Sequence, residues 1–140
     1  MVIGVYGIIG SGKSTVARIF KEVYGFSVID VDETGHKVLG FPEVKQKLLK
    51  EFGDMILKSN GVGIDNKILG DIVFSSKIKK KLLENIMWPY MTEIIISKTK
   101  ENNKVIIDAA VLFSAGWNKL CDYTIYVYSF IPVIFLRLLK

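Results

Sequence analysis

The chain is poor in the residues that cross-link, switch or cage. Its 140 residues hold one cysteine, Cys121, and one histidine, His36. One thiol makes no internal disulfide, so a reducing, cytoplasmic setting is expected. Without a Cys/His cluster at ligand spacing, a zinc site is not expected. Arginine is scarce too: of 19 basic residues only Arg18 and Arg137 are arginines. Long apolar runs are missing. The most apolar stretch, Tyr123 to Leu139, is interrupted by Ser129, Pro132 and Arg137, whereas a spanning helix needs ~20 continuous apolar residues. No membrane span is expected. The start, Met1-Val2-Ile3-Gly4-Val5, has no basic segment ahead of its apolar run, so no signal peptide is expected.

What is present suits one globular domain spanning 1–140. Half the residues are apolar, about a quarter are charged, and the formal charge is +5. Lys77, Lys79, Lys80 and Lys81 form the densest basic run, but Ile78, Leu82 and Ile86 fall among them at helical spacing. That pattern reads as a solvated helix face. No aromatics interleave with the lysines as a single-strand platform requires, so nucleic acid is not an expected partner. The positive balance suits a small polyphosphate ligand.

Periodicity places the elements. Val2 to Tyr6 reads as a buried strand, and Val16, Ile19, Phe20 and Val23 mark one face of a helix that begins near Lys13 and ends at Gly25. Phe26 to Val31 reads as a second strand, completing a strand–loop–helix–strand unit of a parallel α/β sheet. The middle is helical: Glu43 to Phe52, Lys67 to Phe74, Ile78 to Met87, and a long helix that Pro89 is expected to open and that runs to about Lys100. Residues 33–104 thus form a largely helical insertion, which either shapes a substrate pocket or covers one face of the sheet. Strands resume at Val105 to Asp108 and at Tyr123 to Tyr128. Phe130 to Leu139 is apolar on every side, which is unusual for a surface helix.

The chemistry is concentrated at Gly7-Ile8-Ile9-Gly10-Ser11-Gly12-Lys13-Ser14, a P-loop pattern lying between strand and helix as the motif requires. Glycines let backbone amides turn inward around phosphate oxygens. The helix start aims its free amides and positive dipole end at the same anion. Gly10, Ser11, Gly12, Lys13, Ser14 and Thr15 are therefore the expected nucleotide contacts. Lys13 is to reach the β- and γ-phosphates, Ser14 to ligate Mg²⁺, and Thr15 to meet the α-phosphate side. In Val28-Ile29-Asp30-Val31-Asp32 both aspartates are expected on the same side of a strand end, where ligands of open α/β sheets sit. Asp32 reads as a base or magnesium holder, or else as a helix cap; Asp108 carries the same two readings. His36, four residues past Asp32, is either a substrate contact or an ordinary packed or surface side chain.

Taken in order, these signatures resemble the dephospho-CoA kinase family. Gly7 to Thr15 is similar to its GGIGSGKST, and Val28 to Asp32 followed by His36 to its VIDAD…H. Phe52-Gly53, then Gly63-Ile64-Asp65, Leu69 and Ile72-Val73-Phe74 follow another family stretch. Trp88-Pro89 falls at its His-Pro, Asp108 to Phe113 at its D-x-P-L-L-F, and Cys121-Asp122 at its Cys-Asp. The resemblance implies a three-layer P-loop fold with ATP and Mg²⁺ as cofactors. It implies transfer of the γ-phosphoryl group to the 3′-hydroxyl of dephospho-CoA, with Asp32 as base, Lys13 on the phosphates, and Asp32, His36 and Asp108 at the substrate. Asn66, Trp88, Ala110 and Ser114 depart from the pattern, where the family has arginine, histidine, proline and glutamate. The family also continues about sixty residues further, with an arginine-bearing lid and a last strand, and Arg137 falls at the arginine of the helix leading into that lid, so a truncated member prone to self-association through its apolar end is expected. The alternatives are a catalytically silent nucleotide-binding fragment and another small-molecule or nucleotide kinase on the same fold.

Overall fold

Four short strands form one sheet in the computed structural model, which describes residues 1–139. They are β1 (Val2–Tyr6), β2 (Ser27–Asp30), β3 (Val105–Asp108) and β4 (Tyr123–Tyr126), all parallel in the order β2-β3-β1-β4. Side chains alternate across a strand, so register alone assigns the faces. Ile3 pairs with Ile106, Ile106 with Val28, and Val5 with Ile125. Their side chains share a face, and helix α1 (Lys13–Tyr24) lies on it, packing Val16, Ala17 and Phe20 against them. The same register pairs Val5 with Asp108 and Asp108 with Asp30. Both carboxylates therefore stand on the α1 face at the carboxyl ends of their strands. On the opposite face Gly4 leaves room for Leu112 and Cys121, whose side-chain atoms lie 2.6 and 2.9 Å from where a β-carbon would stand.

The structure moves several expected boundaries. On α1 the seam runs through Ala17, because a small side chain lets helix and sheet approach closely; Ile19 and Val23 are 46% and 67% exposed. Strand β2 ends at Asp30 because Val31 already opens helix α2 (Val31–Leu39). Asp32 is accordingly on a helix's first turn and not at a strand end beside Asp30. β4 stops at Tyr126, although the Val127 amide still donates to the Tyr6 carbonyl at 2.8 Å. Helices α3 (Pro42–Phe52) and α4 (Asn66–Phe74) fall where periodicity puts them. α4 starts on an Asp65 cap that accepts from the amides of Lys67 and Ile68.

Pro89 opens nothing: it lies inside one 25-residue helix, α5 (Lys77–Glu101). Proline there forfeits the bond to the Asn85 carbonyl, a cost of ~3 kcal/mol. Met87, Met91 and Ile95 recur every four residues on both sides of it and are all buried, so burial along one stripe outweighs the local penalty. Helix α6 (Ile131–Leu138) carries Pro132 in its first turn.

The chain divides into two compact units. One combines Met1–Asp32 with the segment from Ile94 onward and holds the sheet; the other is Glu33–Glu93. The second unit has its own core, with Val38, Val44, Leu48, Ile56, Leu69 and Met87 among its buried residues. At its surface Lys47 donates to the Tyr90 hydroxyl at 2.8 Å.

Candidate active site

The glycine loop grows directly out of β1, and close packing dictates its composition. A β-carbon on Gly7 would stand 2.3 Å from the Val127 carbonyl oxygen, so the strand-to-loop exit admits no side chain. Ile8-Ile9-Gly10-Ser11 then forms a β-turn, closed by the Ser11 amide donating to the Ile8 carbonyl at 3.1 Å. Gly10 sits at its third position with φ +80°, where glycine escapes the steric cost. Gly12 (φ +103°) reverses the chain again and is the residue before α1. No side chain caps that helix and no acid lies in its first turn. Its leading amides have no intrahelical acceptor, which leaves a donor-rich, positive concavity suited to an anion.

Side chains complete the site. The Lys13 ammonium donates to the Ile8 carbonyl at 3.3 Å, folding back over the loop. Ser14, on the first turn of α1, stands beside Asp108 and favours its charged form. Burial pushes the Asp108 carboxyl above its ordinary range. Asp30 and Asp32 push it the same way, whereas the Lys13 charge and the Ser14 hydroxyl pull it back. Lys13, Ser14, Asp30, Asp32 and Asp108 thus form one electrostatic cluster at the carboxyl ends of the strands, the position where open α/β sheets bind ligands. Thr15 is exposed on the same helix turn.

Ser11 and His36 are the remaining expected contacts. Ser11 is 4% exposed, and its hydroxyl is buried beside Gly7 without a hydrogen-bond partner among the described residues. His36 is exposed and belongs to the second unit. The sequence resemblance marks Arg137 as the arginine of the helix leading into the family's lid, but it does not show that α6 packs on the glycine loop. Ile134 is buried against the loop, and Arg137 donates to the Gly10 carbonyl at 3.1 Å. Its scarcity is a second signal, since Arg137 is one of two arginines in a lysine-rich chain. Beside the loop, on the face of Tyr6, an apolar cavity of about 620 Å³ is lined by Tyr6, Ile8, Ile9, Ala110, Tyr126 and Ile134 among others.

Among the described residues, no group of three or more acidic, histidine or cysteine side chains could hold a metal ion, and no helix is long and apolar enough to cross a membrane. The oxygen donors at the loop, the Ser14 hydroxyl and the Asp108 carboxylate, have the hard character that Mg²⁺ prefers.

Comparison with known proteins is consistent across sequence and structure. The dephospho-CoA kinase family model matches residues 1–133. Dephospho-CoA kinase of Borreliella burgdorferi is 40% identical over 131 residues, which is 89% of this chain and 60% of that protein. Dephospho-CoA kinase of Fusobacterium nucleatum is 39% identical, over 92% of this chain and 67% of its own. A crystal structure from Thermus thermophilus superposes with a TM-score of 0.82 at 26% identity, covering 99% of this chain and 71% of the other. Dephospho-CoA kinase from Campylobacter jejuni gives 0.62 at 25% identity, over 99% and 94%. The chain thus spans about 60–67% of the length of the two curated relatives named here. The parallel sheet, the glycine loop at its carboxyl edge and the match over 133 residues agree: this chain belongs to the dephospho-CoA kinase family.

Proposed function

We propose that the chain binds ATP at the Gly7–Ser14 loop and supports phosphorylation of the 3′-hydroxyl of dephospho-CoA. The observation that carries this reading is the cluster of Lys13, Ser14, Asp32 and Asp108 around a glycine loop in a chain of this family. Phosphoryl transfer asks a protein for positioning and charge neutralisation more than for covalent chemistry. The leading amides of α1 and the Lys13 ammonium bind the phosphates. Lys13 exchanges its 3.3 Å bond to the Ile8 carbonyl for the β- and γ-phosphate oxygens. Asp32 accepts the proton of the attacking hydroxyl as the new O–P bond forms and the γ-phosphoryl group leaves ADP. Ser14 would hold Mg²⁺, with Asp108 orienting the Ser14 hydroxyl. When bound, that ion neutralises charge on the β- and γ-oxygens.

His36 is proposed as a contact to the acceptor, its exposure on α2 leaving it accessible. Cytoplasmic residence agrees with one unpaired cysteine. Exposed Phe130, Ile131, Phe135, Leu136 and Leu139 support self-association through the α6 segment. A sedimentation coefficient that does not rise with concentration would sink that last point.

The direct experiment is transfer of ³²P from γ-labelled ATP to dephospho-CoA by the purified chain. Labelled coenzyme A that is absent with 3′-blocked acceptor is the expected result. Tight ATP binding without any transfer would favour the reading as a silent nucleotide-binding fragment. Transfer to a nucleoside monophosphate in place of dephospho-CoA would make it another kinase of the same fold.

A further inference from the structure

We propose that Arg137 is a positioning residue for the phosphate-binding loop, holding the Gly10–Ser11 peptide in its working orientation before any nucleotide arrives. In a trans peptide the carbonyl and the following amide point in opposite directions. Here both ends of that plane are gripped. The Arg137 guanidinium donates to the Gly10 carbonyl at 3.1 Å, and the Ser11 amide donates to the Ile8 carbonyl at 3.1 Å. Among the described residues the buried Ser11 hydroxyl has no hydrogen-bond partner, so there the turn's own closing bond is what restrains this peptide on the inner side.

The geometry of α6 shows that the contact is built and not incidental. Ile134, Arg137 and Leu138 recur at three- and four-residue spacing, which puts them on one helix face. The Ile134 Cγ2 and Leu138 Cγ atoms lie 3.0 and 3.4 Å from where a Gly10 β-carbon would stand, and Ile134 is 6% exposed. The guanidinium also lies 3.5 Å from the missing β-carbon of Gly12. Arg137 therefore bridges the two positive-φ glycines that shape the concavity. A glycine-rich loop otherwise gives up much backbone freedom when it closes on an anion. An external clamp removes part of that cost in advance, which is preorganisation. The planar, permanently charged fork of arginine suits a fixed carbonyl better than a lysine ammonium does.

The inference rests on the loop being a phosphate binder, but its main test needs no nucleotide. Amide hydrogen exchange is measured on the full chain without ligand, for the wild type, Arg137→Met and Arg137→Lys. The loss of one charge-assisted bond at an exposed position should quicken exchange at Ser11 and Gly12 by about fivefold in Arg137→Met. Amides of Phe135 to Leu138 should keep the wild-type rate, because Ile134 still seats the helix, and Arg137→Lys should restore much of the protection. Affinity for inorganic triphosphate, which has no base or sugar to contact, should fall by a similar factor. Unchanged loop exchange in the free protein would overturn the proposal even if triphosphate binding fell, since Arg137 would then act on the ligand directly. Loop and α6 amides quickening together would also overturn it, by reducing Arg137 to a helix dock. If no variant binds triphosphate, the phosphate-loop reading fails while the exchange data still decide the positioning role.

Discussion

Replacing Lys13 by alanine tests the phosphate loop most directly, and the structure sets the size of the effect. In the free chain the ammonium donates to the Ile8 carbonyl at 3.3 Å and offsets part of the pressure on Asp108. A bond that long, between partly exposed groups, contributes about 0.5 kcal/mol at most. On a phosphate the same ammonium makes charge-assisted bonds in a donor-rich concavity, each with about 1.5–3 kcal/mol at stake. Even one such bond leaves a difference of about 1–2.5 kcal/mol, so Lys13→Ala should weaken Mg-ATP binding by ~5- to 70-fold, and more if the ammonium makes two. Isothermal titration calorimetry on wild type and variant reads this directly. The thermal midpoint without ligand should move little, because what is lost is the weak Ile8 bond and a screened, partial offset to Asp108. Affinities that agree within twofold would refute the reasoning, and the loop would have to be reassigned as a structural glycine turn.

Two further substitutions separate the carboxylates. Asp32→Asn should lower phosphoryl transfer by ~10²-fold or more while ATP affinity stays within about threefold; equal turnover in the transfer assay would return Asp32 to a helix-start role. Asp108→Asn should raise the ligand-free melting temperature at pH 7 by roughly 2 °C. The sign follows from its raised carboxyl: the folded chain holds the Asp108 proton more tightly than the unfolded chain does. That contribution is complete below the ordinary carboxylate value of ~3.9 and disappears as pH rises through the higher folded-state value. The variant's advantage should therefore shrink as pH falls toward 4 in differential scanning calorimetry. A constant gap from pH 4 to pH 7 would show that desolvation of the charge is not its cause.

What the sequence made legible was whatever depends on local pattern. The strand–loop–helix start, the capping Gly25, and the helices ending at Phe52 and Phe74 each follow from spacing or from a residue with one conformational role. The errors share a physical origin: packing overrode a local rule. Pro89 reads as a helix start because proline lacks an amide, yet Met87, Met91 and Ile95 hold α5 continuous through it. Val31 is a good strand residue, yet it opens α2, and this one shift moves Asp32 from a strand end to a helix turn.

The candidate site residues divide in the same way. Lys13 and Ser14 were legible because a P-loop fixes them relative to each other within a few residues. Asp108 was legible as a strand-ending acid, but its link to Asp30 depends on β2 and β3 lying side by side, 78 residues apart in register. No pattern in one strand reveals its neighbour. Arg137 is the extreme case, 127 residues from the carbonyl it binds. Apolarity on every side of α6 was a visible anomaly for a surface helix. The structure accounts for part of it: one side seats Ile134 and Leu138 against Gly10, and that seating brings the guanidinium to the loop. An unexplained apolar helix near a glycine-rich loop is therefore itself a signal. Glycines chosen for tight backbone turns also leave open the space where a neighbouring helix can settle.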